Sequence, residues 1–359
     1  MSEKTSSAEA KKSGFNKNSL MMLLLKGRTF IALIILFIYF SFNAPNFTKA
    51  SSLIMTIKHA SIYGLLALGM AMVIITGGID LSVGSIVGLV GMLIGGLMIE
   101  GFRLPWIQGT IYPNIPLILL AMALLSILIG ALSGCLISYI NIPAFIATLG
   151  VMYICRGFAM LRNGGATFPN LFGSAELNNL GFDKIGAGGV SIAGVTVPYS
   201  IIIFVVMALI SWFIMSKTAL GNQIYAVGGN ERAAALSGIQ TKKVKIFVYM
   251  FSALCSCICS VIMTSQLRAA HPATGESWEM NAIASVVLGG TSMAGGVGTI
   301  GGTIVGVLVI QILNDGMVMM GVSTFWQMVI KGVVIIIAVM IDQFQKNMQM
   351  KIALQARNK

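Results

Sequence analysis

Residues 61–99 read SIYGLLALGMAMVIITGGIDLSVGSIVGLVGMLIGGLMI. Two apolar runs are interrupted here by a short polar segment, Gly77-Gly78-Ile79-Asp80-Leu81-Ser82. A carboxylate at the centre of a membrane helix costs about 2.5–3.5 kcal/mol, so Asp80 needs water or polar partners. The stretch therefore predicts two membrane helices separated by a break, with irregular backbone at the glycine pair.

The rest of the chain has the same character. Of 359 residues, 57% are hydrophobic and only 9% are charged, whereas a soluble domain carries about 25% charged residues. The solvent of most of the chain is therefore lipid, and we predict an all-α polytopic membrane protein with about ten transmembrane helices. The predicted spans are 29–43, 60–76, 83–99, 115–139, 143–161, 197–215, 246–266, 281–297, 299–317 and 324–341.

The positive charges are clustered along the chain. Of the 23 Lys and Arg residues, 6 lie in 1–29, 5 in 217–245 and 4 in 342–359. Clustering in alternate loops is the positive-inside signature and not a nucleic-acid stripe. We therefore predict a cytoplasmic basic tail (1–28), a transmembrane domain (29–342) whose 217–245 segment is cytoplasmic, and a cytoplasmic tail (343–359).

The break around Asp80 has two interpretations. Asp80 and Ser82 can cap the following helix at its positive end. Alternatively, the break lies beside a translocation path, where irregular backbone at depth is tolerated. Residues 64–96 and 285–309 share an apolar run, a Gly-Gly break and a glycine-rich span. That pattern is compatible with an inverted internal repeat, although the similarity of letters is too weak to establish one.

Other motifs argue against enzymatic chemistry. Gly296-x-Gly298-x-x-Gly301 matches the dinucleotide fingerprint in letters, but it follows no strand and opens a membrane span. The chain has no P-loop motif and no His-Asp-Ser or His-Cys constellation, and we place His59 and His271 in outer loops. We interpret Cys255, Cys257 and Cys259 as small packing residues. Charged residues within or beside spans are candidates for function; they are Arg156, Arg162, Asp315 and Lys331. For Arg162, Asp315 and Lys331 the alternative is that they snorkel from span ends or pair with each other.

The segment 217–245 contains the sequence GGNERAAALSG at 228–238. We predict a turn at Gly228-Gly229-Asn230 and a short helix from Glu231 to Leu236, ended by Ser237-Gly238. Such a helix, fixed between two spans, has two interpretations of equal weight. It is a binding surface for a cytoplasmic partner, or it is a solvated connector between the spans. The residues alone leave this choice open.

Five segments, taken together and in order, resemble the permease subunits of ATP-binding-cassette (ABC) importers for ribose, xylose and galactosides. They are GGIDLSVGS (77–85), PAFIATLGVMYICRGFAM (143–160), YAVGGNERAAALSGI (225–239), AIASVVLGGTSMAGGVGTIGGTIVG (282–306) and GVSTFWQMVIKGVVIIIAVMID (321–342). The likeness runs from about residue 28 to 345. It implies a type II ABC importer-like fold and transport of a ribose-type monosaccharide by alternating access.

The resemblance also implies roles for individual residues. The family's ATPase-coupling helix falls on Gly229, Asn230, Glu231, Ala233, Ala234 and Gly238. The two glycine-rich breaks beside the pathway fall on Gly77, Gly78, Asp80 and Ser82, and on Gly289, Gly290, Gly295 and Gly296.

The implied partners are a cytoplasmic ATP-binding subunit, an extracytoplasmic sugar-binding protein, a second permease copy (identical or not) and membrane lipid, with no nucleic acid. No cofactor is expected on this chain, since ATP and magnesium bind the partner ATPase. The expected location is the bacterial inner membrane, with both termini cytoplasmic. We expect basic residues on the outer side to meet the binding protein: Lys49, Lys58, Arg103, Lys184 and Arg268.

Two rival functions remain at this stage. One is an ABC permease for another solute, such as a branched-chain amino acid or a sugar-like signal. The other is a secondary transporter coupled to an ion gradient through Asp80 and Arg156. A membrane enzyme is disfavoured because no catalytic cluster is visible.

Overall fold

The computed structural model describes residues 27–102, 109–192 and 195–357, which are predominantly helical. A two-stranded antiparallel hairpin is formed by β1 (Gly189–Ile192) and β2 (Val195–Pro198). The helices are α1 (Arg28–Asn43), α2 (Ala50–Ile75), α3 (Val83–Ile99), α4 (Ile115–Ser138), α5 (Ala144–Leu161), α6 (Asp183–Ala187), α7 (Tyr199–Lys217), α8 (Ala219–Gly229), α9 (Glu231–Leu236), α10 (Thr241–Leu267), α11 (Trp278–Leu288), α12 (Ile300–Met319) and α13 (Thr324–Arg357).

The prediction of an all-α polytopic membrane protein is confirmed. Within the described ranges, six helices are long and apolar enough to cross a membrane, namely α2, α4, α5, α7, α10 and α12. Four shorter apolar helices correspond to α1, α3, α11 and the first part of α13. Each predicted span therefore corresponds to an apolar helix. Most of the predicted basic tail, residues 1–26, lies outside the described residues, and the predicted C-terminal tail continues α13 as helix to Arg357.

Several predicted boundaries are wrong. The span predicted at 281–297 ends as a helix at Leu288, because the chain turns at the following glycines and Gly290 adopts a φ of +88°. The prediction of a turn at Gly228-Gly229-Asn230 is wrong for Gly228 and Gly229, because both are helical and form the last two residues of α8. The β1–β2 hairpin was not predicted. His59 lies within α2 and not in a loop.

The core is organised around α2 and α10. In the most apolar 18-residue window of each helix, 78% of α2 and 67% of α10 is buried, against 22% for α4 and 28% for α5. α10 packs on α2, α3 and α4. A helix that is apolar on all sides is expected at the centre of a membrane bundle, whereas α4 and α5 present their outer faces to the surroundings.

Small residues allow these helices to approach closely. A Cβ added at Gly69 of α2 would lie 2.7 Å from the Cα of Ser252 in α10. Gly130 and Gly134 of α4 likewise lie against the backbone of Tyr249 and Ile246 in α10. Gly130 and Gly134 are four residues apart, which is the spacing of small residues that permits close crossing of membrane helices.

The bundle has two ends, which we name by what they carry. The α9 end carries residues 218–240, the end of α2 and the start of α10. The hairpin end carries β1–β2 and the end of α3, where the Asn179 side chain donates a hydrogen bond to the Met98 carbonyl at 2.9 Å.

We predict that Gly69→Ala destabilises the protein, because the added methyl group would have to displace the α10 backbone. Overpacking of this kind costs about 1–3 kcal/mol. The measurement is the thermal unfolding midpoint of the purified protein in detergent. The matched control is Gly332→Ala in α13, where an added Cβ meets no atom within 4 Å. An equal midpoint for the two variants would contradict the close crossing of α2 and α10.

Candidate functional site

The first break connects the end of α2, at the α9 end, with the start of α3, deep in the bundle. Gly77 adopts a φ of +81°, which reverses the chain after Ile75. The chain then returns alongside α10 as an extended segment, so that Asp80 meets Ser252. Ser252 is the twelfth of 27 residues in α10. α3 therefore begins near the middle of the bundle and runs toward the hairpin end.

Asp80 is fully engaged by protein donors. Its carboxylate is 1% exposed. One oxygen accepts hydrogen bonds from the Ser82 amide at 3.0 Å and the Ser82 hydroxyl at 2.6 Å. The other accepts a bond from the Ser252 hydroxyl at 2.8 Å. Asp80 thus orders the turn before α3 and attaches it to α10, and this geometry favours the structural interpretation of Asp80 over a solute contact.

The glycines of this break line a cavity that opens at the α9 end. Its volume is about 250 Å³, and its wall includes Gly77, Gly78, Asn141, Lys245 and Tyr249. The Tyr249 hydroxyl faces Gly78 and is buried without a hydrogen-bond partner among the described residues. A buried unsatisfied hydroxyl in a cavity wall is available to water or to a passing polar solute.

The second break follows α11 and lies at the α9 end. Gly290, Gly295 and Gly296 adopt φ values of +88°, +84° and +74°, whereas Gly289 is the C-terminal cap of α11 at a φ of −64°. The loop ends where the Thr299 hydroxyl caps α12 by accepting from the Gly302 amide at 3.0 Å. Non-helical backbone here is therefore specified by several residues and is not a frayed end.

The two breaks meet each other and the end of α8. The Gly296 amide donates a hydrogen bond to the Ile75 carbonyl at 2.8 Å. Gly228 touches both, since a Cβ at that position would overlap the Ile75 carbonyl and lie 2.6 Å from the Gly296 nitrogen. The Tyr225 hydroxyl of α8 donates to the Gly298 carbonyl at 2.8 Å. The structure thus joins the predicted pathway glycines to the predicted coupling segment.

The short helix α9 has the predicted bounds, Glu231–Leu236. The Asn230 side chain caps it by accepting from the Ala233 amide at 3.0 Å, and Gly238 ends the segment with a φ of +85°. Ala234 is 5% exposed and packs on the core, whereas Leu236 is 90% exposed. The helix thus turns Ala234 toward the core and Leu236 toward the surroundings.

α9 is held to α10 by one ion pair. The Lys245 ammonium lies 2.6 Å from the Glu231 carboxylate. Glu231 was a predicted site residue, but Lys245 and Leu236 were not. The sequence shows only that Lys245 is a basic residue in the helix after Glu231. The two residues are 14 positions apart, and that spacing does not predict a contact between them.

The remaining charged candidates have partners that differ from those predicted. Arg162 pairs with Glu100 at 2.7 Å, and Asp315 pairs with His59 at 3.2 Å. Of the two alternatives for these residues, mutual pairing is wrong for Arg162 and Asp315, because they lie near helix ends that face different neighbours. Arg268 is also engaged, by Asp183 at 3.1 Å. Arg103 lies outside the described residues.

The comparison with known proteins agrees with this architecture. A sequence model of the family described as "Branched-chain amino acid transport system / permease component" matches residues 52–339. A ribose import permease of Bacillus subtilis is 38% identical over 88% of this chain and 91% of its own length. A ribose import permease of Escherichia coli is 37% identical over 89% and 94%, and a D-allose transport system permease of the same species is 33% identical over 88% and 91%. No solved structure matches.

The chain therefore belongs to the branched-chain amino acid transport system / permease component family. It is a multi-pass membrane permease, a transport subunit and not an enzyme.

We predict that Ser252→Ala destabilises the protein by about 1–3 kcal/mol, because it leaves one oxygen of the buried Asp80 carboxylate without its donor. The thermal unfolding midpoint in detergent measures this. Ser41→Ala is the control, since the exposed Ser41 hydroxyl bonds only the carbonyl four residues earlier in α1. A Ser252→Ala midpoint equal to that of the control would mean that Asp80 is not attached to α10.

Proposed function

We propose that this chain is the permease subunit of an ABC importer that moves ribose or a closely related monosaccharide into the cell. The support for the sugar is the identity with ribose permeases over most of both chains. The support for ABC coupling is the segment formed by α8 and α9: α9 is a capped helix with an exposed leucine, and the end of α8 just before it contacts both glycine breaks. In this proposal a separate subunit hydrolyses ATP, and an extracytoplasmic binding protein delivers the sugar to a pair of permease copies.

The proposed orientation places the α9 end in the cytoplasm with both termini. The basic residues of 217–245 support it, because Lys and Arg are retained on the cytoplasmic side. The ATPase then contacts α9 around Leu236. Lys49, Lys58 and Lys184 remain candidates for contacts with the binding protein, while Arg268 is already neutralised by Asp183.

The contacts of α8 and α9 suggest how ATPase movement is transmitted. Gly228 lies in backbone contact with Ile75 and Gly296, with no side chain between them to absorb a displacement. Glu231 forms an ion pair with Lys245, which lies on α10 two turns before Ser252. Ser252 in turn donates a hydrogen bond to Asp80. A shift of α9 therefore acts on both breaks and on the wall of the cavity that contains Gly77 and Lys245.

The function is tested by reconstituting the chain, its co-purified ATPase and its binding protein in proteoliposomes. We expect uptake of labelled D-ribose that requires ATP and persists without any ion gradient. Uptake of labelled L-leucine in place of ribose would favour the branched-chain amino acid alternative. Uptake that follows an imposed ion gradient without ATP would favour a secondary transporter.

We predict that Glu231→Lys and Lys245→Glu each lower ATP-driven ribose uptake about fivefold, the factor that corresponds to roughly 1 kcal/mol for an ion pair of this exposure. The double reversal Glu231→Lys/Lys245→Glu should restore uptake to within about twofold, because it rebuilds the pair with the charges exchanged. Failure of the double variant to recover would show that the pair does not carry the coupling.

We predict that Leu236→Asp removes the ATPase from the purified complex without lowering the thermal unfolding midpoint of the permease. The side chain is 90% exposed, so the permease itself loses no packing. Co-purification of the ATPase with the tagged permease measures this. Ala235→Asp, on the same helix, controls for the added charge alone. If Leu236→Asp and wild type recover equal amounts of ATPase, α9 is not the ATPase-binding helix.

A further inference from the structure

The segment between α10 and α11 enters the bundle from the hairpin end. Gly275 lies against the backbone of Gly84, at the start of α3. The Trp278 ring packs on the Tyr63 ring with centroids 4.9 Å apart, and Tyr63 is the fourteenth of 26 residues in α2. α11 therefore begins near the middle of the bundle. Residues 275–278 lie at a depth where lipid surrounds the outer faces of the protein.

Arg156 of α5 holds this segment in place. Its guanidinium donates hydrogen bonds to the Pro272 and Thr274 carbonyls, the latter at 3.0 Å, and to the Gly84 carbonyl at 3.5 Å. A guanidinium has five N–H donors. Three are used for these carbonyls, which leaves two donors for other acceptors.

A cavity opens beside Arg156, on the far side of the Asp80 segment from the cavity at Gly77. Its volume is about 270 Å³, slightly below the roughly 300 Å³ at which pockets for drug-sized ligands begin. The wall combines charged, hydroxyl and apolar side chains: Ser85, Met152, Tyr153, Arg156, Met160, Glu276, Ser277 and Glu279.

Among the described residues, the carboxylates of Glu276 and Glu279 in this wall have no side-chain hydrogen-bond partner, and the Glu279 carboxylate accepts from its own backbone amide. Glu279 is 8% exposed and Glu276 is exposed on the open side of the cavity. Within the described part of the chain, neither forms an ion pair with Arg156 or any other cation, and no side chain donates a hydrogen bond to them. Ionisable groups at membrane depth face water or a polar solute and not hydrocarbon. The open side of this cavity is therefore an aqueous surface and not a lipid-facing one.

The chemistry of the wall selects the kind of solute. In their ionised form the two carboxylates offer only acceptors, and the guanidinium offers two remaining donors. Solute hydroxyls, which both donate and accept, complement this set. A solute with its own carboxylate would meet two like charges and only one cation, which costs binding free energy.

We propose that the cavity formed by Arg156, Glu276 and Glu279 is a solute-contact site at membrane depth, and that it accepts a neutral, hydroxyl-rich solute such as a monosaccharide. The inference rests on the proposed transport function and deepens it. It assigns the solute contact to the face formed by α5 and the start of α11, and not to Asp80.

The first test asks whether the cavity holds water. Ser277→Cys is placed in lipid nanodiscs and treated with a water-soluble maleimide, which reacts with thiolate and so requires an aqueous site. We expect labelling on the order of tenfold faster than for Leu209→Cys, which lies on the apolar outer face of α7. The wild-type protein supplies the background from the five native cysteines. Equal rates for the two variants would overturn the proposal.

The second test asks whether the carboxylates contact the solute. Glu279→Gln and Glu276→Gln are compared with wild type for ATP-driven uptake of labelled D-ribose. We expect each to lower the uptake rate at least about tenfold, since each replaces a charged acceptor of the solute's hydrogen bonds with a neutral amide. Retention of the ATPase in the purified complex shows that each variant is assembled.

Glu100→Gln is the matched control, because Glu100 is an exposed carboxylate paired with Arg162; its uptake should stay within about twofold of wild type. Wild-type uptake rates in both Glu276→Gln and Glu279→Gln would overturn the proposal while leaving the transport function intact. If wild type imports another solute in place of ribose, the sugar assignment fails. The uptake comparison is then made with the solute that wild type imports, and the thiol test still decides whether the cavity is aqueous.

Discussion

The hydrogen bond from the Gly296 amide to the Ile75 carbonyl, at 2.8 Å, joins the two non-helical breaks of the bundle at the α9 end. A backbone group without a partner in hydrocarbon costs several kcal/mol, so irregular backbone survives only where other protein groups satisfy it. Here the second break supplies the donor for the last carbonyl of α2, and the end of α8 packs against both breaks. Side chains at Gly228 or Gly296 would separate the three segments.

The polar residues of the interior follow the same rule. Asp80 binds Ser82 and Ser252, and Arg156 binds the carbonyls of Pro272, Thr274 and Gly84. Both side chains therefore hold non-helical backbone in place and allow a half-length helix to begin in mid-bundle. α3 runs from this level toward the hairpin end and α11 runs toward the α9 end, and their starting points touch at Gly84 and Gly275.

This arrangement leaves two cavities separated by the Asp80 segment. One contains Gly77, Lys245 and Tyr249 and opens at the α9 end. The other contains Ser85, Arg156 and Glu279, and Ser85 is bonded to the Ser82 carbonyl at 2.8 Å. Alternating access needs a partition with a compartment on each side. The segment from Ile79 to Gly84 lies between the two cavities and is the partition in the transport cycle proposed above, and Asp80 attaches it to α10 through Ser252.

The amino-acid sequence by itself determined the class of fold, the ten apolar helices, the bounds of α9 and the positions of both glycine breaks, because these depend on local hydrophobicity and backbone preference. It did not reveal that α11 stops at Leu288, that Glu231 meets Lys245, or that Glu276 and Glu279 share a cavity with Arg156. Only the tertiary structure decided these points, since they depend on which helices lie side by side. In a chain that is apolar on nearly every helix face, hydrophobic periodicity does not specify which helices pack together. Close glycine contacts and buried polar hydrogen bonds specify the packing.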